Sequence, residues 1–458
     1  MTRRNRALIK NIWFCVELEE YYCPKCRGQR PFIDLPTRNT CRFIKSMHDL
    51  FLILSTDSQH HFQYLTFDPD DLSLNRRHYA PKSFLSGVHD PRHGWIAGKH
   101  VSSTPLKRAL EHVHQNVLAE VAIVSTLLLL LQNLRRFSCN TLQCMSSRFP
   151  NLETFHYEPW RVWSHNDIPE ANQNTRLLLE RLSTTNNVKL KRLVLFKNFD
   201  DRYSSHFSDN SSGQTSDLHT SHHTTNPQDP DQSVARAVLE ASLRLEALSV
   251  SFAIEADNFF HAAETDPTRN WPHLRSLTLT TRLNQMLLKA ALIALRMPEL
   301  EMLVIWNGQA GIAALFRYQL DDHKAVLSWK VNSEYTIPSH VIDTWEMVKR
   351  TFGKNDPRLI LDYSVDYEIC IKTHADAISH LKLFHVVRPT ALQQILAAHK
   401  ARLEGLSRWR GTRKEKKSPN FVRRWEEAFT YFIRIKEIYH DAPNRRTLPA
   451  HARRRQGH

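Results

Sequence analysis

One short spacing restricts the fold of this chain more than any other feature. An apolar residue is followed by two polar ones, an apolar residue, one polar and an apolar residue. It appears as Leu134–Phe137–Cys139, Leu152–Phe155–Tyr157, Leu190–Leu193–Leu195, Leu245–Leu248–Val250, Leu274–Leu277–Leu279 and Leu300–Leu303–Ile305. Weaker copies read Ile9–Ile12–Phe14, Phe62–Leu65–Phe67 and Leu381–Phe384–Val386. The last two apolar residues of each copy are two apart and share one face of a strand. The first sits where the chain turns into that strand, and the residue between the last two points to the opposite face. This is the L-x-x-L-x-L core of a leucine-rich repeat. Its strands stack as a parallel sheet, with returning helices or loops over the apolar face.

Turn signals stand in register with the copies. Phe149-Pro150-Asn151, Trp271-Pro272-His273 and Met297-Pro298-Glu299 each lead into the first leucine of a copy. Proline there stops the preceding helix. Leu283 to Arg296 reads as a covering helix, and Val121 to Leu131 as a buried strand running into a helix. Ala314 to Tyr318 and Val326 to Val331, around a turn at Asp321 to Lys324, read as strand, turn, strand. The stretch from about 203 to 233 is polar and rich in Ser, Thr, His and Asn, and reads as a disordered insertion. The expected fold is therefore α/β: an irregular leucine-rich-repeat-like solenoid over 1–396, with parallel strands and covering helices. A basic helical tail follows over 397–458. A chain of 458 residues exceeds the roughly 250–300 that one compact core holds, and a repeat growing in one direction accommodates it.

The charge is lopsided. From Ala401 to His458 there are 16 Lys+Arg and 6 Asp+Glu, so the tail carries +10 of the chain's +15. Arg410 to Lys417, with Arg413, Lys414, Lys416 and Lys417, and Arg453 to Arg455 are the clusters. They suit a nuclear import signal or a nucleic-acid contact, or form a solvated linker. Behind Ser418-Pro419, Phe421, Trp425, Ala428, Phe432, Ile435 and Tyr439 make one apolar stripe on a helix at about 419–440. That helix caps the domain, binds a partner, or lies on a membrane surface.

Chemistry-bearing motifs are few. Cys23-Pro24-Lys25-Cys26 with Cys15 and Cys41 is four thiolates on paper, or free cysteines in a hairpin. His206, His219, His222 and His223 fall in the polar insertion, and Asp68, Asp70 and Asp71 read as turn residues around Pro69. No G-x-S-x-G, P-loop, H-E-x-x-H or kinase set is present. The expectation is a protein that is not an enzyme and carries no metal or cofactor. Seven cysteines, an odd number without secretory features, point to a reducing compartment, cytoplasm or nucleus. No apolar stretch approaches the about 20 residues that span a bilayer.

Other residues carry a family resemblance. Asn11-Ile12-Trp13, Val16 to Tyr21 and Cys23-Pro24-Lys25-Cys26 open it. It continues through Phe155-His156-Tyr157-Glu158-Pro159-Trp160, Leu195 to Phe199, Leu248 to Phe252 and Asp257 to Phe260. Trp271-Pro272, Leu274 to Thr280, Trp306-Asn307-Gly308, Phe316-Arg317-Tyr318 and Ile371 to Ile378 complete the series. Together, over roughly Ile9 to Leu396, they resemble fungal F-box domain-containing proteins, with a repeat region of unknown function behind the F-box. The resemblance implies the substrate-recognition part of a ubiquitin-ligase adaptor. Only Met1 to Leu8 precede the Ile-Trp strand, so binding of a Skp-type subunit is not carried over. The expected partner is a protein, such as a ligase substrate, with nucleic acid as an alternative through the tail and no membrane. Strand positions expected to face outward and meet that partner are His156, Glu158, Trp160, Thr278, Thr280, Val304 and Trp306.

Overall fold

In the computed structural model the described residues are 11–17, 35–56, 62–70, 95–96, 99–100, 118–129, 137–159, 168–184, 189–197, 232–281, 286–309, 311–321, 324–332, 337–352, 359–366, 369–389, 391–393 and 395–396. The chain divides into Met1–Arg402 and Leu403–His458. The tail helix and the basic residues Arg413, Lys414, Lys416 and Lys417 lie outside the described residues. So do residues 198–231 with their histidines, Cys23, Cys26, Asp71 and Trp160.

Elements alternate along the first unit. β1 (Asn11–Glu17), α1 (Leu35–Ser55), β2 (Phe62–Asp70), β3 (Trp95–Ile96), β4 (Lys99–His100) and β5 (Val124–Leu129) come first. α2 (Cys139–Ser146), β6 (Thr154–Tyr157), α3 (Ile168–Thr184), β7 (Arg192–Phe196), α4 (Gln232–Ser242) and β8 (Ala247–Ser251) follow. Then come α5 (Ala256–Glu264), β9 (Ser276–Thr280), α6 (Leu287–Ala294), β10 (Met302–Gln309), β11 (Ile312–Asp321) and β12 (Lys324–Val331). α7 (Ser339–Phe352), β13 (Leu359–Val365) and α8 (His374–His380) close the series. One mixed, mostly parallel sheet runs β1-β2-β5-β6-β7-β8-β9-β10-β11-β12-β13, so its strands follow chain order. β11 is antiparallel to both neighbours, as the strand-turn-strand reading requires, and β13 is parallel to β12.

The leucine spacing sets the register. Ile12, Leu65, Leu127, Phe155, Leu193, Leu248, Leu277 and Leu303 are paired in one row across eight strands. Phe14, Phe67, Leu129, Tyr157, Leu195, Val250, Leu279 and Ile305 form the next row on the same face. A slip of one residue would move both rows to the other face, so burying them fixes the pairing. α1 through α7 close this first face: Phe43, Met47 and Phe51 of α1 and Trp345 of α7 belong to the same core as the leucine rows. Trp345 lies 4.7 Å from the Tyr318 ring and 5.3 Å from Phe316, tilted in both cases. Burial there pushes the Tyr318 phenol up.

Below each strand the sheet gains one more rung. The residue after the leading leucine of β6 to β10 donates its N–H to a carbonyl at the entry of the neighbouring strand: Glu153 to Ser125, Lys191 to Glu153, Glu246 to Lys191, Arg275 to Glu246 and Glu301 to Arg275, at 2.8–2.9 Å. Their side chains alternate in sign along the row. Lys191 lies 3.6 Å from Glu153 and 4.0 Å from Glu246, and Arg275 lies 2.9 Å from Glu301. Opposite charges on neighbouring strands contribute roughly 0.2–1 kcal/mol each and penalise a slipped pairing.

Three readings are corrected. In the copy at Leu134–Phe137–Cys139, whose first residue lies outside the described residues, Cys139 begins α2 instead of continuing a strand, because Ser138 caps that helix, its Oγ accepting from Thr141 N at 3.2 Å. The matching strand is β5, which carries the same spacing as Val124–Leu127–Leu129. Leu381–Phe384–Val386 is also not a strand. It lies in turns after α8, with Phe384 exposed. Asp68 and Asp70 continue β2 rather than turning, paired with Cys15 and Glu17 of β1.

Candidate functional site

The residue between the two core rows points to the second face of the sheet, as the spacing requires. Over β7 to β11 that face is covered, however, and not a free partner surface. α8 and the segment after it lie over β7 to β11 and bury a second apolar cluster. Phe196, Val304, Trp306, Ala313 and Leu315 come from the sheet, and Ile371, Ala375, Ile378, Leu383, Val387 and Leu392 from the cover. α8 starts on a capping box: Thr373 Oγ1 accepts from Asp376 N at 3.2 Å, while Asp376 accepts from Thr373 N at 2.9 Å. Such reciprocal caps satisfy the orphan donors of a first turn. Fit between the layers is close at Gly308, where an added Cβ would stand 2.8 Å from Ala377 Cβ and 2.7 Å from Trp306 Cζ3.

His156, Glu158, Thr278, Thr280, Val304 and Trp306 are therefore corrected from exposed to buried, at 0–4% exposure. Their polar groups have internal partners. The His156 ring Nε2 and Glu158 Oε1 share a hydrogen bond of 2.6 Å, and Glu158 Oε1 also accepts from Arg388 N at 3.1 Å. Thr278 Oγ1 lies 3.1 Å from the His385 ring Nε2. Thr280 Oγ1 accepts from Phe252 N at 2.7 Å. Phe252 holds a left-handed backbone at φ 59°, which costs a side-chain-bearing residue about 1–2 kcal/mol. Its ring is returned to Trp306 at 4.9 Å and Phe196 at 5.7 Å, both edge-on. Alternate strand positions told which face these residues take. The cover came from a segment whose spacing looks like one more strand.

Polar groups remain on this face that the cover does not pair. Ser249 Oγ, Ser251 Oγ, Trp306 Nε1 and Arg317 Nε are buried without a hydrogen-bond partner. Arg317 sits on β11 beside Ser328 of β12, with Lys330 two residues further along β12 and Asp362 beside Ser328 on β13. Arg317 and Lys330 are half-buried, and Asp362 is exposed. Burial lowers the Arg317 guanidinium below its ordinary value, and the Asp362 carboxylate opposes that. Burial of its inner edge, with Arg317 close by, holds the His385 imidazole below its ordinary value, although much of the residue stays in solvent.

Among the described residues no group of His, Cys, Asp and Glu could hold a metal ion. Cys41 is exposed on α1 and has no disulfide partner. The largest apolar exposure on a strand is β13, the last strand of the sheet order. Ile360, Leu361, Tyr363 and Val365 each keep 43–47% of their surface in solvent. Among the described residues no helix is long and apolar enough to cross a membrane.

A model for a family of unknown function (DUF6546) matches residues 185–388. That span runs from the approach to β7 to the Arg388 whose N–H meets Glu158, so it takes in β7 to β13 and α8. No curated protein and no solved structure matches the chain.

Proposed function

We propose that this chain is a non-enzymatic protein-interaction scaffold, built as an irregular leucine-rich-repeat-like solenoid. The observation that carries the reading is the row of parallel strands in chain order with one register. Such an architecture grows in one direction and leaves long surfaces for partners. The second face over β7 to β11 is occupied by the chain's own cover, so the partner surface moves to β13. An exposed apolar edge strand offers unpaired backbone groups and side-chain pockets to an extended segment of another protein. The finer reading, from the sequence resemblance, is the substrate-recognition part of a ubiquitin-ligase adaptor. Its partner is then a ligase substrate. The compartment is cytoplasm or nucleus.

Affinity capture with the full chain as bait tests this. The parent recovers a specific protein, and Leu361→Lys with Tyr363→Lys loses it while keeping the parent's thermal midpoint. Recovery of no specific protein by the parent ends the scaffold reading. Recovery unchanged by the double variant removes β13 from it.

The +10 charge of Ala401 to His458 favours a second reading, a nuclear or nucleic-acid-associated factor. Nucleic-acid binding that weakens steeply with salt and disappears when the tail is deleted supports it. No binding at low salt ends it.

A further inference from the structure

We propose that Arg317, Lys330, Ser328 and His385 form a binding site for a phosphate-type dianion on the second sheet face, beside the C-terminal cover. The site stands independently of the scaffold reading.

Three observations converge. First, two cations share one patch. Arg317 opposes Ser328 and Leu315 opposes Lys330 in the β11–β12 ladder. Arg317 and Lys330 are thus diagonal neighbours on one face, about 7–8 Å apart at their Cα atoms. Each side chain is long enough to reach an anion seated between the two strands. Second, the charge is met only at a distance, by the Asp362 carboxylate on β13. Arg317 Nε is buried without a hydrogen-bond partner, and no carboxylate of a described residue lies within 4.0 Å of either cation. A half-buried cation left this way is costly and becomes favourable once an anion accepts from it. Third, further donors stand on the same face, where Thr278, Val304, Arg317 and Ser328 form one row across β9 to β12. Ser328, 6% exposed, supplies a hydroxyl between the cations. His385 enters from the cover, its inner Nε2 held by Thr278 Oγ1 at 3.1 Å.

The ligand follows from that donor set. Two cations match a double negative charge. A tetrahedral group offers oxygens to donors on β11, on β12 and on the overlying segment at once, whereas a planar carboxylate is served by the Arg fork alone. Asp362 is the acid facing Arg317 from β13, and it works against the anion. Thr278 is a positioning residue, orienting His385. The anion also removes the repulsion that Arg317 exerts on His385, so binding draws a proton onto the imidazole.

The test titrates the full chain with sodium phosphate and follows the His385 ring resonances, assigned by comparison with His385→Gln. Sodium chloride at equal ionic strength is the control. A saturable shift with phosphate, together with a raised His385 titration midpoint, is the expected result. Arg317→Gln and Lys330→Gln each weaken binding about tenfold or more, and Asp362→Asn strengthens it several-fold. Phosphoserine separates the sources. Binding as tight as that of inorganic phosphate means a phosphoryl group carried on a larger molecule fits, and its exclusion means the free ion is the ligand. A shift reproduced by chloride, or acetate binding as tightly as phosphate, overturns the proposal. So does phosphate affinity unchanged in Lys330→Gln, whose half-exposed side chain can be replaced without loss of the fold even if Arg317→Gln unfolds.

Discussion

Glu158 shows how one side chain ties the two layers. Its carboxylate is 1% exposed and accepts from the His156 ring and from the Arg388 N–H of the cover. Removing one partner of such a buried pair leaves the other unsatisfied. Glu158→Ala should therefore cost about 1–3 kcal/mol, read as a lower urea midpoint. Glu158→Gln keeps an acceptor for Arg388 N and should cost less. His385 gives the cover a pH dependence of known sign. Its folded-state affinity for protons lies below the ordinary value of 6.5 because its inner edge is buried near Arg317. Above 6.5 both states are neutral there and the full stability is present. As pH falls through 6.5 the unfolded chain takes up the proton first, so stability declines until the folded-state value is passed. Thermal midpoints measured from pH 8 to about pH 5 should fall, and His385→Gln should flatten that part of the profile. A parent profile no steeper than that of His385→Gln would remove His385 from the linkage.

At the scale of elements, the sheet and its cover are held by different means. The strands of the first face are specified twice, by the leucine rows and by the alternating Glu153, Lys191, Glu246, Arg275, Glu301 row at their entry. The turn before β9 adds an anchor. Trp271 is fully buried, donates Nε1–H to Ser242 Oγ at 2.6 Å and carries the Arg296 guanidinium over its ring at 5.2 Å. The cover depends instead on fit. Gly308 of β10 leaves no room for a methyl group between Trp306 and Ala377 of α8. Gly308→Ala should destabilise by about 1–3 kcal/mol through overpacking. The loss should concentrate in α8, and amides of residues 374–381 should exchange faster while those of β7 to β9 keep their protection. Equal loosening everywhere would show that cover and sheet unfold as one unit.

For the molecule as a whole, the cover decides what the second face can do. Deleting the chain from residue 367 onward uncovers Phe196, Val304, Trp306 and Leu315 together. An apolar patch of that kind drives association, so the truncated chain should bind a hydrophobic dye strongly and aggregate. A truncated chain that stays monomeric and dye-free would contradict the cover's role. Much of the first layer was legible from residue spacing alone. An apolar residue two positions from another must share its strand face, so Leu193, Leu248, Leu277 and Leu303 announced both their strands and their register. The same local geometry placed His156, Thr278 and Val304 on the opposite face. What spacing cannot express is which distant segment closes a face. Residues 369–389 carry a repeat-like Leu381–Phe384–Val386, yet they fold mainly as a capped helix and turns over strands remote in sequence. Side-chain periodicity is a property of neighbours along the chain and was determined there. Burial of the second face and the approach of His385 to Thr278 depend on contacts between elements far apart in sequence, which only the tertiary structure decided.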